Sequence, residues 1–102
     1  MVNKNTQLIG DWVIDPDDVA AINELGMIYL KFSKEGILKY TIIGEKSDQV
    51  ILLLYEDLGG KLLTCQPSDP RKEETEYCLN NNILTLTFNG LNSKFIRIIT
   101  DI

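Results

Sequence analysis

The chain has 102 residues, enough for one domain with a single core and too few for two. Its 44% hydrophobic and 25% charged residues give the balance of an ordinary soluble globular protein, and a net charge of -5, with Lys and Arg scattered singly or in pairs, argues against the basic stripe of a nucleic-acid binder. Histidine is absent, which removes His-based acid/base catalysis, Ser-His and Cys-His nucleophiles and the commonest transition-metal ligand together.

The longest apolar run, Val50 to Tyr55, is far short of the roughly 20 residues of a membrane-spanning helix. Residues 1–7 lack the apolar core of a signal peptide, so a cytoplasmic protein is expected unless a leader has been removed. Cys65 and Cys78 are too few for a disulfide scaffold and have no metal-ligand spacing, and nothing implies a cofactor.

In chain order, Leu8 to Ile14 reads as a first strand carrying Gly10-Asp11-Trp12, with the chain's sole tryptophan. Asp15-Pro16-Asp17-Asp18 then predicts a helix start: Asp15 as N-cap, Pro16 at the first helical position, and two carboxylates at the positive end of the dipole. A calcium loop would need spaced ligands and a central glycine, which are missing. Val19, Ile22 and Leu25 would be the buried stripe and Gly26 the stop.

From Met27 the period changes to two. Ile28, Leu30 and Phe32 predict a half-buried strand, Lys34-Glu35-Gly36 a hairpin loop, and Leu38, Tyr40 and Ile42 the returning strand. Gly44 to Asp48 is a polar loop before a strand from Gln49 to Glu56, paired so that Val50, Leu52 and Leu54 meet the inward face. Leu58-Gly59-Gly60 turns the chain to place Leu63 and Cys65 inward. Gln66 to Arg71, with two prolines, reads as a longer loop. Thr75, Tyr77 and Leu79 face Phe88, Leu86 and Leu84 across a four-residue turn, Asn89-Gly90 turns again, and Lys94 to Ile99 is the last strand.

Eight short strands, with hairpin-length links everywhere except at the helix, define an all-β fold, and an up-and-down antiparallel barrel over residues 1–102 removes its edges. A sandwich or an open half-barrel satisfies the same count. Large side chains at nearly every inward position favour a filled interior over a cavity.

Gly10-Asp11-Trp12 resembles the Gly-x-Trp signature of the calycin group, the lipocalins and fatty-acid-binding proteins, and the layout is similar to small bacterial lipocalin-like domains of uncharacterised function. The resemblance implies that Arg97, on the last strand, packs across Trp12 and closes one end of the barrel, with Gly10 allowing the close approach. It also places the helix where fatty-acid-binding proteins carry a lid. A second lipocalin motif and the basic pair that grips a carboxylate are not identifiable.

The polar candidates for an interior ligand site are Tyr40, Tyr77, Thr75 and Cys65, although buried hydroxyls more often find backbone partners. Glu73, Glu74 and Glu76 could suggest acid/base chemistry, but Glu74 and Glu76 alternate toward solvent and Ser68 lacks a base, so no enzymatic centre is expected. In the same register Ile51, Leu53 and Tyr55 point outward, with Leu62 and Ile37 beside them, an apolar patch that suggests a homodimer. The sequence therefore favours a non-catalytic, lipocalin-like barrel binding a small apolar ligand, the alternative being a filled barrel that self-associates through this outer face.

Overall fold

Eight antiparallel strands hydrogen-bond in chain order and the eighth returns to the first, closing an up-and-down barrel. The computed structural model describes residues 6–88 and 90–99, without the side chains of Thr6, Pro70 and Phe88. Asn89 of the last expected turn and the predicted inward Phe88 side chain thus lie outside the described part. The strands are β1 (Gly10–Ile14), β2 (Met27–Phe32), β3 (Ile37–Ile43), β4 (Gln49–Asp57), β5 (Lys61–Gln66), β6 (Asp69–Asn80), β7 (Ile83–Phe88) and β8 (Leu91–Ile98). A 3₁₀ turn, Thr6–Leu8, precedes β1, and the helix α1 (Val19–Leu25) links β1 to β2. Among the described residues no helix is long and apolar enough to cross a membrane.

The hairpin signals place β2 and β3 correctly: Ile28, Leu30 and Phe32 stand opposite Ile42, Tyr40 and Leu38. Likewise Tyr77 and Leu79 oppose Leu86 and Leu84. That second turn is tighter than expected, with Asn80 pairing Ile83 and Asn81 at φ 57, a left-handed position that asparagine tolerates better than most residues. Isoleucine, leucine and aromatic side chains from β1, β2, β3, β5, β7 and β8 meet in one buried core, joined by Leu8 and by Ala21 of α1.

The helix begins later than its composition predicts. The Asp15 carboxylate accepts from the Asp17 amide at 2.9 Å, closing a turn before the helix, and Asp18 caps α1 by accepting from the Ala21 amide at 3.3 Å. The second Asp18 oxygen accepts from the Lys94 amide at 3.0 Å, which fastens the helix start to β8. This delay rotates the buried stripe. Val19 is 61% exposed, and Ala21 takes its place beside Ile22 and Leu25.

The larger correction is a one-residue slip between β3 and β4. Leu38 pairs with Leu53, Tyr40 with Ile51 and Ile42 with Gln49. A slip of one exchanges the faces of a strand, because side chains alternate strictly. Val50, Leu52 and Leu54, expected inside, are 50%, 52% and 44% exposed. Ile51, Leu53 and Tyr55 turn inward instead, Leu53 and Tyr55 packing against the core and Ile51 lining the interior cavity. The pairing of Leu54 with Cys65 carries the exchange into β5, so Leu62 is buried while Leu63 and Cys65 lie on the outer face. The apolar patch predicted from Ile51, Leu53, Tyr55 and Leu62 is therefore interior.

A register break follows between Thr64 and Gln66, where Cys65 faces Pro70 to Lys72; it adds two residues to β6 and so leaves the faces unchanged. A proline nitrogen has no hydrogen to donate and is tolerated at such a break, so β6 starts at Asp69 where a loop is expected. Beyond it Leu62 pairs with Thr75, and Thr64 with Glu73. Two adjacent leucines test this geometry with the same substitution. Leu62→Ala is expected to cost about 2–4 kcal/mol and Leu63→Ala less than about 1 kcal/mol, measured by urea denaturation.

Candidate ligand site in the barrel interior

One end of the barrel is sealed. Trp12 on β1 lies directly opposite Arg97 on β8, so their side chains share a face, and the guanidinium carbon sits 4.3 Å from the indole ring centre. The indole is fully buried, and its Nε1 donates to the Leu8 carbonyl at 3.0 Å. Arg97 donates to the Ile9 carbonyl at 3.1 Å through Nη1 and to the Gln7 carbonyl through Nη2. Gly10 has φ 134, and a Cβ there would stand 3.0 Å from Arg97 Nη1, so this position needs glycine for both its backbone and its space. The three residues expected to close the barrel thus meet at one end.

The same end holds polar groups that tie strands together. The Tyr55 hydroxyl donates to the Ser33 carbonyl at 2.6 Å, and the Tyr55 ring meets Phe32 edge-on at 5.0 Å. The Tyr77 hydroxyl donates to Asp57 Oδ1 at 2.6 Å, an oxygen that also accepts from the Gly59 amide. Asp57 Oδ2 is buried and has no hydrogen-bond partner among the described residues. Burial, then the charges of Asp57 and Glu35, push the Tyr55 hydroxyl above the ordinary phenol value. Tyr77, expected to anchor a ligand, is engaged in the floor.

Above this floor lies a cavity of about 400 Å³, open toward the end that carries the β3–β4 and β5–β6 loops. Its walls are leucine, isoleucine and phenylalanine side chains, among them Leu30, Leu38, Leu53 and Phe95. The expected filling fails because several inward positions on β5, β6 and β8 carry short or polar side chains: Thr64, Gln66, Glu73, Thr75 and Ser93. Of the expected anchors, Tyr40 and Thr75 line the cavity, whereas Cys65 and Tyr77 do not. Ile51, Leu53 and Leu62, expected outside, form part of its wall.

The cavity hydroxyls behave unlike those of the floor. Tyr40, Thr64, Thr75 and Ser93 make no side-chain hydrogen bond among the described residues, although Ser93 is only 3% exposed. The backbone partners expected for Tyr40 and Thr75 are therefore not found among the described residues, and all four residues line the cavity. Burial pushes the Tyr40 hydroxyl above the ordinary phenol value. Thr64, Gln66, Glu73, Ser93 and Phe95 line the cavity without having been expected there. Glu73 stands two residues from Thr75 and Ser93 two residues from Phe95, so strand alternation alone assigns both to the inner face.

α1 packs against β2 and β8 and covers that side of the open end, which leaves the mouth on the β3–β6 side. Cys78, like Cys65, is free. Among the described residues no three His, Cys, Asp or Glu side chains gather in a way that could hold a metal ion. The chain matches no protein-family model, no curated protein and no solved structure.

The closure predicts its own test. Trp12→Ala is expected to lower stability by about 3–5 kcal/mol in denaturant titration, the range for truncating a fully buried large aromatic. A loss below about 1 kcal/mol would contradict the sealed end.

Proposed function

We propose that the protein is a non-catalytic, lipocalin-like barrel that binds one small molecule with an apolar body in its interior. The observation that carries this reading is the cavity of about 400 Å³, which combines apolar walls with hydroxyls that no described residue engages. Small-molecule sites have this volume and this composition, an apolar lining with a few polar groups that orient the ligand. The lipocalin-like part rests on Gly10 and Trp12 in the first strand, Arg97 stacked on the indole, and a helix between the first two strands. A catalytic reading has less support, since the cavity lining contains a single carboxylate, Glu73, and no histidine or cysteine.

Titration with N-phenylnaphthylamine, an uncharged apolar dye, is expected to give saturable binding at one site per chain. Leu53→Trp places an indole in the cavity wall and is expected to weaken that binding at least about tenfold while the circular dichroism spectrum is retained. No saturable binding to the parent protein would overturn the reading.

A second reading is favoured by the exposure of Val50, Leu52 and Leu54 in a row on the outer face of β4, with Ile37 opposite Leu54. A contiguous apolar stripe of this kind marks an interface. It supports a homodimer formed through this face, in place of the residues expected from the sequence. Light scattering at high micromolar concentration is expected to give twice the monomer mass, and Leu52→Asp to restore the monomer.

A further inference from the structure

The cavity lining contains no lysine or arginine, and its one formally charged residue is Glu73. Glu73 lies on the inner face of β6, opposite Thr64, near the mouth. No described residue gives its carboxylate a hydrogen bond. Lys72 adjoins Glu73 in sequence and alternates to the other face, and Arg71, two residues away, is held by Asp69 through a two-pronged contact at 2.8 to 3.2 Å, although it also feels the Glu73 charge. Arg71 and Lys72 border a separate depression on the rim, which shares Leu53, Thr64, Gln66 and Glu73 with the cavity.

The remaining polar groups of the lining, hydroxyls and one amide, can both donate and accept, so they accommodate a ligand that donates hydrogen bonds. The side-chain oxygens of Thr64, Gln66, Thr75 and Ser93 can all accept, and none is engaged by a described residue. The other loops at this end add Asp15, Asp17 and Asp18 before α1, and Glu45 and Asp48 in the β3–β4 loop, against Lys46. An anionic headgroup seated in the cavity would meet the Glu73 carboxylate, the one formal charge of the lining, while Arg71 and Lys72 stay on the rim outside it. A cationic one would gain a partner there, with the cavity's apolar walls taking the rest of the molecule.

We infer that the cavity selects an amphiphilic amine: an alkyl or aryl body enclosed by the apolar walls, with its ammonium group at Glu73. This rests on the binding reading above, and it reverses the charge preference of a barrel that grips a fatty-acid carboxylate. Leu53 and Thr64, which border both the cavity and the rim depression, mark where the headgroup sits.

A matched set of octylamine, octanol and octanoate, titrated calorimetrically at neutral pH, separates the two claims. Octylamine is expected to bind about tenfold more tightly than octanol, the increment of one charge-assisted hydrogen bond, and octanoate most weakly. Glu73→Gln is expected to remove the preference, bringing octylamine binding to within about twofold of octanol binding to the same variant. Glu74→Gln, which makes the same charge change on the outer face of the same strand, is expected to leave the preference intact. Equal binding of all three probes, tighter octanoate, or equal effects of the two substitutions would overturn the amine inference and leave the cavity reading standing. Failure of every probe to bind would overturn both.

Discussion

The contact between Trp12 and Arg97 is the constraint on which the barrel depends. An up-and-down sheet closes only if its last strand returns to its first, and these two residues face each other across that seam. The guanidinium over the indole adds a cation–π attraction of about 0.5–2 kcal/mol. More important is where the remaining donors go. The indole and the guanidinium reach the carbonyls of Gln7, Leu8 and Ile9, so the segment before β1 is drawn under the barrel as a floor. Gly10 keeps the backbone out of the way of the arginine. One aromatic and one cation thus satisfy backbone carbonyls, bury the core end and join the sheet to itself.

Most of this architecture was legible in the residues. Alternation in Ile28 to Phe32 and Leu38 to Ile42 specifies a register, because one face is apolar and the other carries lysine and threonine. Leu79 and Leu84 are specified in the same way across their short turn. The failure at β4 has an equally physical cause. Val50 to Tyr55 is apolar at every position, so either face can be buried and the pattern carries no phase. Phase then had to come from the length of the loop from Gly44 to Asp48, where one residue more or fewer reverses the strand. The exchange of faces carries through the turn at Gly59-Gly60 into β5 and ends at β6, whose own alternation of Thr75, Tyr77 and Leu79 fixes its inner face.

The candidate site was less legible for a related reason. A cavity is a property of the sum of inward side chains, and exchanging the faces of β4 and β5 changes that sum. With Leu63 and Cys65 inside, the barrel reads as full. With Thr64 and Gln66 inside, beside Thr75 and Ser93, the mouth half is left open. Tyrosines show the same sensitivity to position. Tyr55 and Tyr77 serve as crosslinks of the floor, whereas Tyr40, one strand away from Tyr55, faces the cavity without a bond from its hydroxyl to any described residue. Composition identifies these residue types, and only the register separates their duties.

The position of the single tryptophan has a practical consequence. Trp12 is sealed in the floor and forms no part of the cavity wall. Its intrinsic fluorescence is therefore a reporter of the seam between the first and last strands, optically separate from occupancy of the chamber above it. A spectrum that stays constant while a ligand saturates the protein, and shifts when the chain unfolds, would be the signature of a container whose lock and contents are read on different channels.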